Sequence, residues 1–280
     1  MKNSSMHQTD NTIGSEFSSA LHENCRIAPN FHRNFEIIAV LEGSCICTVN
    51  SESYTLAKGE AAFICPLQVH EFALEGNSVV RRITFHEHII LTIFQSIKTQ
   101  IPRSPVFNIS PDLMSMLSMR LEDLYGKDSG LIQRIEPYHQ RMMVKGLLYL
   151  IGSEFLSHAE LIARTQSDTV AMEIAEYISE NFRNDISLHD IAKEKGYNYQ
   201  YLSRVFNRYT NMNFKRMLNQ YRIQHAYAMM QDTELPISHI CFECGFQSIR
   251  SFNQVCKETF GKTPSELRQR RKQETTISRA

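Results

Sequence analysis

Two polar arrays near the C-terminal end carry side chains that pair with base edges. One holds Gln200, Ser203, Arg204 and Asn207; the other holds Arg250, Asn253 and Gln254. Arginine pairs with guanine, and glutamine or asparagine with adenine. Arg208 and Lys257, on the same segments, are long enough to reach phosphate, and Asn198, Ser248 and Lys262 are further candidates for the DNA backbone. A third grouping, Cys241-x-x-Cys244 with His239 and Cys256 nearby, has the residue types of a structural zinc site. It lacks a second ligand pair at finger spacing, and Cys241 falls where the parallel segment has Ala192, so buried thiols fit better.

What must position the two arrays is itself duplicated. Ser187-Leu188-His189-Asp190-Ile191-Ala192, followed by Gly196-Tyr197, recurs as Pro236-Ile237-Ser238-His239-Ile240-Cys241, followed by Gly245-Phe246. The offset is 49 residues before the glycine (237 − 188) and 50 after it (252 − 202). A short helix, a turn at glycine and a second helix form a helix-turn-helix unit, whose second helix can enter a major groove.

In each second helix the apolar residues form one stripe, Leu202, Val205, Phe206 and Tyr209 in the first copy and Phe252, Val255 and Cys256 in the second. At about 100° per residue, Gln200, Arg204 and Asn207 lie opposite the first stripe, flanked by Ser203 and Arg208. Arg250, Gln254 and Lys257 lie opposite the second, with Asn253 beside them. Ser187, Asn198 and Ser248 are placed to cap the helices that follow them. Thr169 to Phe182 reads as a helix that closes the first unit. Asn213 to Gln231, without Gly or Pro, reads as a rod of roughly 28 Å between the units.

From about Ile174 to Arg268 these residues resemble the C-terminal domain of the arabinose-regulator (AraC/XylS) family of bacterial transcription factors. The most specific parts are Gly245-Phe246-Gln247-Ser248 through Phe252, then Phe260-Gly261-Lys262-Thr263-Pro264-Ser265-Glu266-Leu267-Arg268. The resemblance implies base-reading positions at Gln200, Ser203 and Arg204, and at Ile249, Arg250, Ser251 and Gln254. The chain departs from the family at Gln254, where Arg is frequent, and at Cys256, where Phe is usual.

The N-terminal half reads as short strands. Phe35 to Leu41 is a nearly continuous apolar run ended by Gly43; Cys45, Cys47 and Val49 then alternate with polar neighbours. Tyr54 to Ala57, Ala61 to Cys65 and Val79 to Phe85 follow, punctuated by Gly59, Pro66 and Gly76-Asn77. Such spacing predicts an antiparallel barrel or jelly roll. This half looks like a cupin, the usual sensory domain of the same family. His32-x-Asn34-x-Glu36 with Gly43 resembles the first cupin motif, and Gly59 to Pro66 with His70 the second. The resemblance makes His32, Glu36 and His70 candidates for binding an effector. Asn34 stands where a metal-binding cupin offers another histidine, and Pro66-Leu67-Gln68 lacks the Pro-x-Gly of the second motif, so no metal is assigned.

The fold class expected is therefore α+β multidomain: a cupin-like β-barrel with flanking helices, then an all-α domain with two helix-turn-helix units. Residues 1–16 are expected to be a disordered N-terminus, 17–110 the sensory domain, and 111–158 a helical region that dimerises the family. Residues 159–168 are the expected linker, within the polar stretch from Ser157 to Asp168, and 169–272 the DNA-binding domain, with units at about 188–209 and 236–259. Of 280 residues, 30 are Lys or Arg and 30 Asp or Glu, yet Tyr199 to Lys272 holds 12 basic and 5 acidic residues, which suits a polyanionic partner. Met1 to Glu16 lacks the apolar core of a signal peptide, and the apolar run at Ile89 to Phe94 is too short to cross a bilayer, so a cytoplasmic protein without membrane association is expected. Seven cysteines without a regular framework read as free thiols.

The function these readings give is a ligand-responsive transcription regulator rather than an enzyme. It needs no cofactor, and its partners are double-stranded promoter DNA, a small-molecule effector, RNA polymerase and a second copy of itself. Two other readings stay open: a metal-dependent cupin oxygenase or isomerase with a DNA-binding tail, and a non-specific nucleic-acid binder.

Overall fold

The computed structural model describes residues 16–268, apart from 92–94, 96, 98, 128 and 130–133. The expected N-terminal tail therefore lies outside the described residues except for Glu16, as do 269–272 of the basic tail. Glu16 is buried: its carboxylate accepts from the Ile135 amide at 2.7 Å and from His88 Nε2 at 2.8 Å, and pairs with Arg141.

The apolar runs build β1 (Phe17–Glu23), β2 (Arg26–Asn30), β3 (Phe35–Val49), β4 (Glu52–Ala57), β5 (Glu60–Ile64), β6 (His70–Phe85), β7 (Gln100–Pro102) and β8 (Val106–Asn108). Seven of them form one antiparallel sheet in the order β1-β6-β3-β5-β8, with β2 also on β6 and β4 also on β3. The alternation of side chains explains why Phe35 to Leu41 is apolar throughout. Phe35, Ile37 and Ala39 face one core, shared with the helices α1 (Pro111–Tyr125) and α2 (Tyr138–His158), while Ile38 and Val40 face a second core with Leu56, Phe72 and Val80. Phe63 of the sheet stacks on Phe155 of α2 at 4.4 Å. Leu113, Leu117, Leu121, Leu147, Leu148 and Ile151 are buried in that same core, so these helices cover the sheet.

Three expected boundaries are corrected. Gly43 does not end its strand, nor does Gly76-Asn77 break the next: β3 and β6 run through both and pair from Phe35↔Phe85 to Val49↔His70, with register shifts between Val40 and Ser44. A bulge absorbs the glycine, whose φ of +71° places it in the left-handed region, against the backbone of Ser78. The linker expected at 159–168 is mostly ordered structure. Leu161–Ala163 forms β9 and pairs with β7, and α3 (Gln166–Asn181) begins three residues earlier than position 169. Thr165 caps it, its side chain and that of Asp168 each accepting from the other's backbone N–H.

The helical half continues with α4 (Leu188–Lys195), α5 (Tyr199–Thr210), α6 (Phe214–Asp232), α7 (Ile237–Glu243) and α8 (Ile249–Phe260). Each cap read from sequence is made: Ser187 with Asp190 in a full capping box, Asn198 to the amides of Gln200 and Tyr201, and Ser248 to that of Ser251. Such caps contribute about 1 kcal/mol each. α6 serves two cores. Met217, Leu218 and Tyr221 close the first with α3, α4 and α5; Ile223, Ala226 and Met230 close the second with α7 and α8.

The units are also locked to each other. Arg222 of α6 donates to the carbonyls of Phe182 (2.7 Å) and Asn184 (2.7 Å), satisfying acceptors beyond the end of α3. Gly245, at φ +81°, lies against the same chain segment, where a Cβ would meet the carbonyl oxygens of Phe182 and Arg183 at 2.7 Å. No helix among the described residues is long and apolar enough to cross a membrane.

Candidate nucleic-acid interface and sensory cluster

On α5 the stripe packs inward as the periodicity requires: Leu202, Val205 and Phe206 are buried and Tyr209 is half-buried. Gln200, Arg204 and Asn207 are left exposed on the other side, and Ser203 is half-buried. On α8, Phe252 and Cys256 are buried and Val255 is partly covered, leaving Arg250, Asn253, Gln254 and Lys257 exposed. The two arrays therefore stand on helices whose opposite faces are fixed in separate cores joined by α6.

Three candidates have local partners. Gln254 donates its amide to Glu258 at 2.9 Å, so a base must compete with that carboxylate. Ser251 donates its hydroxyl to the Ser248 carbonyl at 2.9 Å. Ile249 packs partly against the second core. Asn198 and Ser248 are exposed and occupied as caps, and Lys262 is half-buried beside the C-terminal glycine of α8. Arg208 is exposed but lies at the end of α5 that borders the sensory domain, where it lines a cleft with Tyr54 and Arg103.

The cysteines Cys241, Cys244 and Cys256 share the second helical core, and Cys244 Sγ lies 3.7 Å from Met229 Sδ. Burial pushes their thiols up to about 11 for Cys241 and about 12 for Cys244 and Cys256, which keeps them protonated at neutral pH.

In the sensory half the fold does bring His32, Glu36 and His70 together. All three are buried, with candidate ligand atoms within 4.8 Å of one another. The cluster has a fourth member that motif spacing did not reveal. Arg82, carried by β6 beside β3, donates to Glu36 Oε2 at 2.7 Å, while His32 Nε2 lies 3.0 Å and His70 Nε2 3.5 Å from the same oxygen. Burial alone would raise the Glu36 carboxyl, but Arg82 and the two imidazoles hold it well below the usual carboxylate range. Burial also pushes the His32 imidazole down, against the pull of Glu36. Each Nδ1 lies 2.9 Å from a backbone carbonyl, that of Asn34 or Gln68, which fixes both rings. The result is an ion-paired, internally hydrogen-bonded cluster in which a guanidinium already provides positive charge.

Sequence reading missed the contact between the halves. Phe31, adjacent to His32, leaves the sheet domain and enters the first helical core, stacking on Tyr221 at 4.8 Å. Leu67 and Val69 pack beside it, and the Leu67 amide donates to the His32 carbonyl at 2.8 Å. On the other side of His32, Arg33 donates to Ser179 at 3.0 Å and Glu180 at 2.8 Å on α3. Both neighbours of a cluster histidine therefore grip the helical domain.

A sheet domain of this construction joined to a double helix-turn-helix domain is the architecture of a ligand-binding transcription regulator. Residues 12–139 match the family described as the AraC-like ligand binding domain, and residues 191–270 match a helix-turn-helix domain family. The chain is a member of the AraC/XylS family of regulators. Among curated relatives, the Msm operon regulatory protein of Streptococcus mutans is 23% identical over 267 residues, covering 86% of each chain. The transcriptional activator RhaR of Escherichia coli is 23% identical over 250 residues, again covering 86% of each. Among solved structures, ToxT of Vibrio cholerae shares the fold, with a TM-score of 0.61 at 15% identity over 91% of this chain and 97% of that one.

Proposed function

We propose that this protein activates transcription by reading promoter DNA through α5 and α8, and that a small molecule sensed by the N-terminal domain sets how the two helices are presented. The observation that carries the reading is the pair of exposed polar faces, each backed by its own apolar core and both anchored on α6. Gln200, Ser203, Arg204 and Asn207 would contact bases from the first helix, and Ile249, Arg250, Ser251, Asn253 and Gln254 from the second. Asn198, Arg208, Ser248, Lys257 and Lys262 would serve the phosphates. Activation follows the named role of the RhaR relatives. One ToxT structure is described as bound to an unsaturated fatty acid, and an effector for this chain is proposed by analogy with that protein. The effector acts only by binding one arrangement more tightly than another.

The protein would work in the cytoplasm with RNA polymerase as a partner. It would act as a homodimer through the apolar residues that α2 leaves exposed, Tyr138, Met142, Tyr149 and Leu150. We assign it no enzymatic activity. The metal-enzyme alternative predicts stoichiometric iron, manganese or zinc in purified protein, lost on His32→Ala or His70→Ala.

Mapping of bound sites across the genome tests the main reading, paired with competition by scrambled DNA at fixed salt. A recurrent sequence bound about a thousandfold or more tighter than scrambled DNA is expected. Equal affinity for both would leave only a non-specific binder.

A further inference from the structure

The first helix-turn-helix unit carries an aromatic pair outside its apolar core. His189, in the first turn of α4, is exposed, and its imidazole stacks on the Tyr199 ring with centroids 3.7 Å and planes 14° apart. Tyr199 opens α5 directly before Gln200 and is 36% exposed. Burial does not account for the pair, since the core-facing residues of α4 are Leu188, Ile191 and Ala192. Neither the Tyr199 hydroxyl nor a ring nitrogen of His189 makes a hydrogen bond with a described residue.

The stack borders the reading face. At about 100° per residue, Tyr199 lies one turn before Ser203 and roughly 40° around the helix from it. In a helix-turn-helix complex the second helix enters the groove with its N-terminal residues against the bases, while the first helix crosses the sugar–phosphate backbone. His189 and Tyr199 join those two places, the start of α4 and the start of α5. On its own helix His189 has two charged neighbours, Lys193 and Asp190, the latter accepting from the Ser187 amide and hydroxyl. From α5 the titratable group that faces it is Tyr199. In the second unit the repeat places Ser238 and Ile249 at the matching positions, so that unit has no such pair.

We propose that His189 and Tyr199 form a proton-linked contact to the DNA backbone, in which the Tyr199 hydroxyl and the protonated His189 imidazole donate to phosphate beside the bases read by Gln200 and Ser203. The proposal rests on the DNA-reading function and adds to it a pH dependence that belongs to the first unit alone. Imidazole is the side chain whose charge ordinarily changes near neutral pH. Phosphate binds the cationic form more tightly than the neutral one, so binding takes up a proton and, by linkage, affinity rises as pH falls. Tyr199 contributes its hydroxyl and also holds the imidazole flat against its own ring, which reduces the entropy lost when the phosphate is bound.

Fluorescence anisotropy of the full-length protein would measure binding to a duplex carrying the recurrent genomic site and to a scrambled duplex, across a salt series at about pH 6 and about pH 8. On both duplexes the wild type should bind more tightly at the lower pH. Its plot of log K against log salt should also be steeper there by about 0.9, the equivalent of one more phosphate contact. His189→Gln, which keeps a neutral polar side chain, should abolish that difference in slope. Tyr199→Phe keeps the stack and loses the hydroxyl; it should weaken binding about threefold or more at both pH values and retain the difference. Both positions are exposed, so at each pH the variants should melt with the wild type. The proposal is overturned by a wild-type slope that is the same at the two pH values, by a difference that persists in His189→Gln, or by Tyr199→Phe binding as tightly as wild type. Equal affinity for the two duplexes would instead remove the sequence-reading function, and the slopes on the scrambled duplex would still decide the contact.

Discussion

Arg204 and Arg250 are exposed on the faces of α5 and α8 that point away from their cores, so removing them costs little folding energy and isolates their effect on DNA. Each arginine-to-alanine change should relax discrimination at one base position by about 1–3 kcal/mol, measured by competition among single-base variants of the bound site. Lys257→Ala should weaken all sequences alike and reduce the salt slope by about one. One pattern common to the three variants would count against the assignment. The turn glycines differ just as clearly. At Gly196, φ +73°, a Cβ would meet no described residue within 4 Å, whereas at Gly245 it would face two carbonyl oxygens. Gly196→Ala should cost about 1 kcal/mol from backbone strain alone, and Gly245→Ala about 2 kcal/mol more, a contrast that denaturant titration can read.

At the level of elements, His225 makes α6 sensitive to acid. Its ring stacks on Phe182 at 4.1 Å and tilts against Tyr221 at 4.9 Å, and its Nε2 is buried without a hydrogen-bond partner among the described residues. Burial first, and then the nearby Arg183, push the imidazole down to about 3. A depressed folded-state value means that the unfolded chain takes up the proton first. The stability is therefore present above about 6.5 and is lost as pH falls toward 3. The melting temperature should drop between pH 7 and pH 5, and His225→Phe, which keeps the stacking, should flatten that slope; an unchanged slope would rule the histidine out as its source. The helices themselves were legible because their cues are local: a cap residue, an apolar stripe and a turn glycine sit within one segment, twice. The strands were only half legible. β1 contains the buried polar residues Ser18, Ser19 and His22 and β2 the buried Asn30, which hide the alternation, and the bulge at Gly43 resembles a strand end. Likewise, motif spacing found His32, Glu36 and His70, but Arg82 reaches Glu36 only through the pairing of β3 with β6, 46 residues away.

For the molecule as a whole, the docking of Phe31 and Arg33 carries the most weight. Phe31 is only 1% exposed, and Phe31→Ala should cost about 3–5 kcal/mol, as for other large-to-small changes in cores. Arg33→Ala removes a solvent-exposed ion pair and should cost at most about 1 kcal/mol. Calorimetry should accordingly report one merged unfolding transition for the wild type and for Arg33→Ala, and two separated transitions for Phe31→Ala. A single cooperative transition in all three would mean that the halves are coupled elsewhere. None of this contact was visible in sequence, since nothing local marks Phe31 as belonging to a core built by residues 170–221. It also has a practical corollary: the helical half expressed by itself would carry a greasy notch beside Tyr221, with Ile174 and Ile178 newly wetted, and would self-associate in solution unless another molecule plugged the gap.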